Sequence, residues 1–419
     1  MKKFSLHLFL VITVSFSIQS CVKDHVQTTY TYFMPVYKAK TEVWKSIRSA
    51  APQPLRQTGK LFLFGRYLFV NEVNKGVHII DNINPRAPKN LSFIAIPGNL
   101  DIAVKNNTLY ADLYTDMITI DISDPADIKL KKVSDRIFPE RDYDNGFAPD
   151  STKYIIDWEK KVTTDSREFT ADKAIGQAGQ LFSSPQSYSN SGTVVGVSGS
   201  MARFTIVNNY LYTVSRSALT SFNISSSEDP VKELTQGLGW NIETIYPLKD
   251  KLFIGSQTGM FIYSITDPAS PSFLGSFSHA CFRDPVIADD QYAYVTLRAT
   301  TAESACWGTP AAQRNELDIV KISDLLQPSL VKIYDMEEPK GLSKDGNYLF
   351  ICDGKGGLKI YNAANVLDIK KIKVISNIKP FDVICQDGLA LVVAEEGIYQ
   401  YDYTNINNVN LISKISIVK

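Results

Sequence analysis

The stretch 117–125 reads MITIDISDP, and variants of it return at 260–268 (MFIYSITDP), 316–325 (ELDIVKISDL) and 357–366 (GLKIYNAANV). Each follows a second short apolar run: TLYADLY from Thr108, KLFIGS from Lys251, YAYVTL from Tyr292, YLFICDG from Tyr348. Apolar residues at alternate positions, bounded by Asp, Asn, Gly and Pro, are the pattern of short strands joined by tight turns. Asp-Pro closes such a run well, because Asp bonds its own backbone while Pro fixes φ. The pattern recurs about every 40 residues, which marks a repeat architecture.

The second unit lays out the four strands of one repeat. DIAV (101–104), LYADLY (109–114) and MITIDIS (117–123) are followed, after Asp124-Pro125, by IKLKKV (128–133). Aligned in this way, seven units begin near Thr58, Gly98, Met201, Trp240, Cys281, Glu337 and Ile378. Some 400 residues exceed what one compact core usually holds, whereas repeats escape that limit by packing only on their neighbours. An open stack would need end units with polar outer faces, and the first and last units are no more polar than the rest. The expected fold is therefore all-β: a seven-bladed β-propeller of four-stranded antiparallel blades, over 57–419. The alternating segment TTYTYFMPVY at 28–37 is a candidate closing strand for the last blade. About 65 extra residues, 136–200, interrupt the ring between blades two and three; within them YIIDWEKKVTT reads as a strand.

The strings VHIIDNINP (77–85) and ITIDISDP (118–125) resemble the diagnostic string of LVIVD-repeat β-propeller proteins. FIYSITDP (261–268) and IVKISDLLQP (319–328) resemble it more loosely, and LTSFNISSSEDP (219–230) and GIYQYDYTNI (397–406) more loosely still. The resemblance covers roughly 57–417 apart from the insertion. It implies an exported propeller and supplies no catalytic residues.

Residues 1–20 read as an export signal: Lys2 and Lys3, an apolar run, then small or polar residues to Ser20. Cys21 follows directly, and SIQS-Cys resembles a bacterial lipoprotein signal, in which that cysteine is lipidated; SCVKD (20–24) also resembles Bacteroidota-type lipoproteins. Val22 behind it is not the Asp of an inner-membrane retention signal. The expectation is an outer-membrane lipoprotein, on the periplasmic face or the cell surface, with 21–56 as its tether.

Lys+Arg and Asp+Glu are 44 each, a formal net charge of zero. That gives no ground for a nucleic-acid partner, which would call for a basic excess. No C-x-x-C or spaced His pair suggests zinc, and no cofactor is expected. Cys281 and Cys306 flank one hairpin and are a disulfide candidate, whereas Cys352 and Cys385 fall in apolar strands as buried thiols. Asp142, Asp144 and Asp150 share the acidic loop RDYDNGFAPD (141–150), a weak calcium candidate without the spacing of a calcium-binding loop.

The remaining signal is positional. First strands line the channel of a propeller, and their opening residues align as Lys60, Asp101, Arg203, Glu243, Arg283, Asp284, Lys340 and Asp382. Charges of both signs crowding one mouth have two readings: a self-compensating ring of ion pairs, or a polar binding pocket on the axis. Three functions follow in order. The first is a lipid-anchored binding module for a protein or glycan partner in the envelope. The second is a hydrolase or lyase drawing paired carboxylates from Asp101, Glu243, Asp284 and Asp382. The third is a structural envelope component. Neither partner nor oligomeric state is written in the repeats.

Overall fold

Alternating apolar positions give each sheet two oily faces, and both must be covered. The computed structural model describes residues 25–139, 151–168, 200–201, 203–239, 241–279, 285–299 and 314–418. In it seven antiparallel sheets follow one another along the chain, each built from four consecutive strands, as a seven-bladed propeller. Their innermost strands begin at Thr58, Ile102, Phe204, Ile242, Val286, Leu342 and Pro380.

Blade two shows how the pattern becomes packing. In its strand Asp116–Asp121, Ile118 and Ile120 are fully buried and share a cluster with Phe69 and Ile79 of blade one and Phe204 and Phe222 of blade three. The preceding strand Thr108–Leu113 is buried at every position. All seven third strands meet the outermost strand through a bulge. The extra residues are Leu91, Lys131, Glu233, Leu274, Val331, Ile372 and Ile412. A bulge raises local twist and disrupts the ladder, so each exposed edge is a poor template for a foreign strand.

The ring closes without sharing a strand between its ends. Residues 28–37 do not extend the last blade: the strand containing them, His25–Ala39, pairs with Lys153–Glu168. The segment 21–56, expected as a tether, also contains a helix, Lys40–Ser46, and a short strand, Arg48–Ala50, that adds a fifth strand to blade one at its outer edge. Leu55 then makes a parallel bridge to Ile417 of blade seven. Beneath this strap, Leu61, Leu68, Val70 and Ile80 of blade one pack on Ile384, Leu391, Val393 and Ile398 of blade seven. One polar clasp crosses the seam: Asn82 Nδ2 donates to Gln400 Oε1 (3.0 Å) and Gln400 Nε2 returns a bond to Asn82 Oδ1 (2.7 Å). Both amides are buried.

Two compact units divide the chain, and one of them, Tyr37–Ile156 with Tyr188–Lys419, holds all seven blades. The other, Met1–Val36 with Asp157–Ser187, contains by itself the distal part of the two-stranded ribbon. There Thr29 and Thr164 share a hydroxyl bond of 3.2 Å, and Tyr30, Met34 and Val162 are exposed. No helix among the described residues is long and apolar enough to cross a membrane.

The seam clasp is testable. Gln400→Leu strands the buried Asn82 amide and should cost about 1–3 kcal/mol in urea unfolding. Adding Asn82→Leu should recover part of that loss; a double mutant as unstable as the sum of the singles would show that the amides do not act as a pair.

Candidate functional site

The structure draws four of the aligned charged residues to one mouth of the ring. Lys60 Nζ lies 3.2 Å from Asp101 Oδ2, and both side chains are almost wholly buried. Asp101 also accepts the backbone N–H of Arg203 (3.0 Å) and of Ile102 (2.9 Å). Asp382, with no exposed surface, lies within the field of Lys60. Neither of its oxygens meets a donor in good geometry; the backbone N–H groups of Val383 and Ser200 and the Lys60 charge offset burial only in part. Burial therefore pushes the Asp382 carboxyl up to about 8. It lifts Asp101 to about 6 against the pull of Lys60. Lys60 is pulled down, by burial first and by Arg203.

Two residues from the end of the insertion lie over this cluster. Met201 offers its carbonyl to Lys60 Nζ (2.9 Å), and Ser200 Oγ accepts the N–H of Leu342 in blade six (2.8 Å). Asp101 is 1% and Asp382 0% exposed, so no substrate reaches these carboxylates in this arrangement. The other aligned charges pair elsewhere. Glu243 accepts a bond from Gln257 of its own blade (2.9 Å). Lys340 contacts Glu338 at 3.1 Å and lies over the Phe381 ring. Arg283, Asp284, Cys281, Cys306, Asp142, Asp144, Asp150 and Cys21 lie outside the described residues. Cys352 and Cys385 are free thiols, raised by burial.

Two clusters carried no positional signal in the sequence. Asp116, fully buried, accepts from Lys40 Nζ (2.9 Å), Tyr154 Oη (2.6 Å), Thr115 Oγ1 (3.0 Å) and the Arg136 N–H (3.0 Å). It fastens the Lys40–Ser46 helix and the start of the insertion's strand to blade two. Between blades four and five, burial and then Glu316 raise Asp318 to about 7, with His279 opposing. No set of three His, Cys, Asp or Glu side chains among the described residues could hold a metal ion.

Among the described residues an open concavity lies on the opposite face, where inner strands end rather than begin. A cleft of about 260 Å³ lies between blades one and two. Phe64, Tyr67 and Phe69 form one wall, and Ile122 and Pro125 of blade two face them. Arg66, Asn106 and Asn107 stand at the rim on the two hairpin turns. Those turns need left-handed backbone, which Gly65 (φ 57°) and Asn106 (φ 53°) supply.

One contrast with blades two and three bears on it. Tyr110 of blade two donates to Ser227 of blade three (2.7 Å), and Tyr212 of blade three to Pro268 of blade four (2.8 Å). These tyrosines occupy the third position of the second strand and tie each blade to a turn of the next. Blade one has Phe69 in that place. The Pro125 carbonyl it would have met is taken by Ser49 of the added strand (3.0 Å). The seam is thus held from outside, and the space before Phe69 is left open. Blade six carries Phe350 there, but Tyr403 of blade seven packs against that ring, tilted, at 4.9 Å and donates to Asp345.

Fold and faces together define a seven-bladed β-propeller. The repeat-family model that matches the chain is the LVIVD repeat, at residues 99–135, 311–336 and 340–362. These stretches fall in blades two, five and six. No curated protein matches the chain significantly. Among solved structures, the computationally designed Ika8 protein is 9% identical with a TM-score of 0.51, over 89% of this chain and 92% of that one. A protein from Lactobacillus plantarum is 10% identical with the same TM-score, over 87% and 97%. Likenesses at such identity show the fold alone.

Two outcomes are expected at the buried mouth. Asp382 and Asp101 hold protons in the folded chain well above the ordinary value of 3.8. Their contribution is therefore complete below that value and is lost as pH rises through about 6 and then 8. Melting measured from pH 5 to 9 should show a decline that Asp382→Asn flattens; parallel curves would refute the assignment. At Gly341, an added Cβ would stand 1.9 Å from Asp382 Oδ1 and 2.9 Å from its Cα. Gly341→Ala should cost about 1–3 kcal/mol in chemical denaturation.

Proposed function

We propose that this chain is a lipid-anchored envelope protein whose propeller is a binding module for a protein or glycan partner. The observation that carries the binding reading is the cleft between blades one and two. It is concave, walled by aromatic rings and rimmed by amides, as recognition sites are, whereas the charged mouth is sealed by its own ion pairs and by Ser200 and Met201. The ring supports that role physically, since rigid strands hold the turns that touch a partner. The anchor rests on the sequence: an export signal over 1–20 ending at Cys21. The outer membrane, on its periplasmic face or at the cell surface, is the proposed location.

Each half has its own test. Cys21→Ala should move the protein from the membrane to the soluble fraction; retention on membranes washed in high salt would mean another anchor. A photo-crosslinking side chain placed at Asn107 should form adducts in whole envelopes. The same group at Asp387, on the equivalent turn of blade seven, should not. Equal labelling at both positions would remove the cleft as the binding site.

A further inference from the structure

We infer that the cleft between blades one and two takes one neutral sugar ring of a glycan. This rests on the binding-module reading and names the chemistry of that same site. Three features carry it. The first is the wall: Phe64 and Tyr67, both half-buried, give an aromatic surface on which the C–H face of a pyranose stacks, and the buried Phe69 closes the floor behind them. Tyr67 and Phe69 are themselves set edge to face, at 6.4 Å and 60°.

The second is the rim. The Asn106 and Asn107 side chains make no hydrogen bond within the described structure and are exposed. An amide presents a donor and an acceptor side by side. That matches adjacent sugar hydroxyls, each of which both gives and accepts a bond.

The third is charge. Arg66 is the cation at the rim, and it is already committed. Its Nε donates to Asp81 Oδ1 (3.2 Å), its terminal nitrogen pairs with the other Asp81 oxygen, and its guanidinium lies over the Tyr67 ring. Asp81 is held below its ordinary value by that partner first. The site therefore offers no uncompensated charge to an anionic ligand. Its volume, about 260 Å³, corresponds to about nine water molecules at roughly 30 Å³ each, which is room for one sugar unit with its hydroxyls. The open side leaves the rest of a chain outside.

The structure also supplies the decisive variant. Phe69→Tyr restores the hydroxyl that Tyr110 and Tyr212 carry, and should fill the cleft toward the Pro125 carbonyl without unfolding blade one. The full-length protein in detergent would be titrated, with saturation-transfer NMR as readout, against maltose, lactose, cellobiose and the N-acetylglucosamine disaccharide. Sialyllactose serves as the anionic comparison. At least one neutral disaccharide should bind saturably. Asn107→Ala should weaken it at least tenfold, Phe69→Tyr should abolish it, and Asn347→Ala on the matching turn of blade six should change nothing.

Asn107→Ala leaves the Asn107 carbonyl bond to the Ile122 N–H in place, so a folding defect cannot mimic the result. Tighter binding of sialyllactose than of lactose would overturn the neutral-ring assignment. Unaltered sugar binding by both cleft variants would place the sugar elsewhere and overturn the inference. If no sugar binds while crosslinks at position 107 still form, the inference fails and the binding module stands. If neither occurs, both fall.

Discussion

Everything in this ring depends on sheets that are apolar on both faces. A blade with Leu109 and Tyr110 both inaccessible to water cannot exist alone, because its neighbours on either side complete its burial. The requirement passes from blade to blade until the last meets the first. There it is met by an aliphatic cluster and one reciprocal amide pair, with the segment between Arg48 and Leu55 lying across the outside and bridging to Ile417 through its backbone. Asp116 and Asp112 are polar groups admitted to this interior with their partners, unlike Asp382, which burial keeps protonated instead. Asp112 accepts bonds from the Asn99 side chain and from two backbone N–H groups.

The same requirement explains what could be read from the sequence. Strand number, blade number and the place of the insertion follow from alternation and turn residues, because burial on two faces forces a strict pattern on Ile118, Ile120 and Ile122. The alignment of charged residues at first-strand starts was equally legible, and Lys60, Asp101, Arg203 and Asp382 do converge. What could not be read is what covers them. Ser200 and Met201 are unremarkable residues at the end of a long polar stretch, and their position over the axis is a matter of chain path. The partner of the segment at 28–37 is hidden for a related reason: an alternating strand advertises that it will pair, never with which edge.

The cleft was hidden more deeply. Phe69 in YLFVNE satisfies the apolar pattern as well as Tyr110 does in TLYADL. The difference between them is a hydroxyl whose target lies in the next blade. Likewise Asn106 and Asn107 read as turn formers, and they are; their side chains become informative only when the aromatic wall is seen beside them. Repeats therefore invite a comparison across blades, position by position: Phe69 is set against Tyr110 and Tyr212, whose hydroxyls reach the following blade.

Because the four strands of every blade come from one unbroken stretch of chain, no blade is assembled from both ends of the ring. A strand shared between first and last blades would tie copy number to the termini: adding a unit would leave the shared sheet intact only by preserving both ends. Here a segment encoding one blade can be duplicated or lost without cutting any sheet. The geometry that must then readjust is the angle between facing sheets and the reach of the strap from Arg48 to Leu55. Growth by whole units is thus open to this architecture, and the strap is the part that such a change would have to remake.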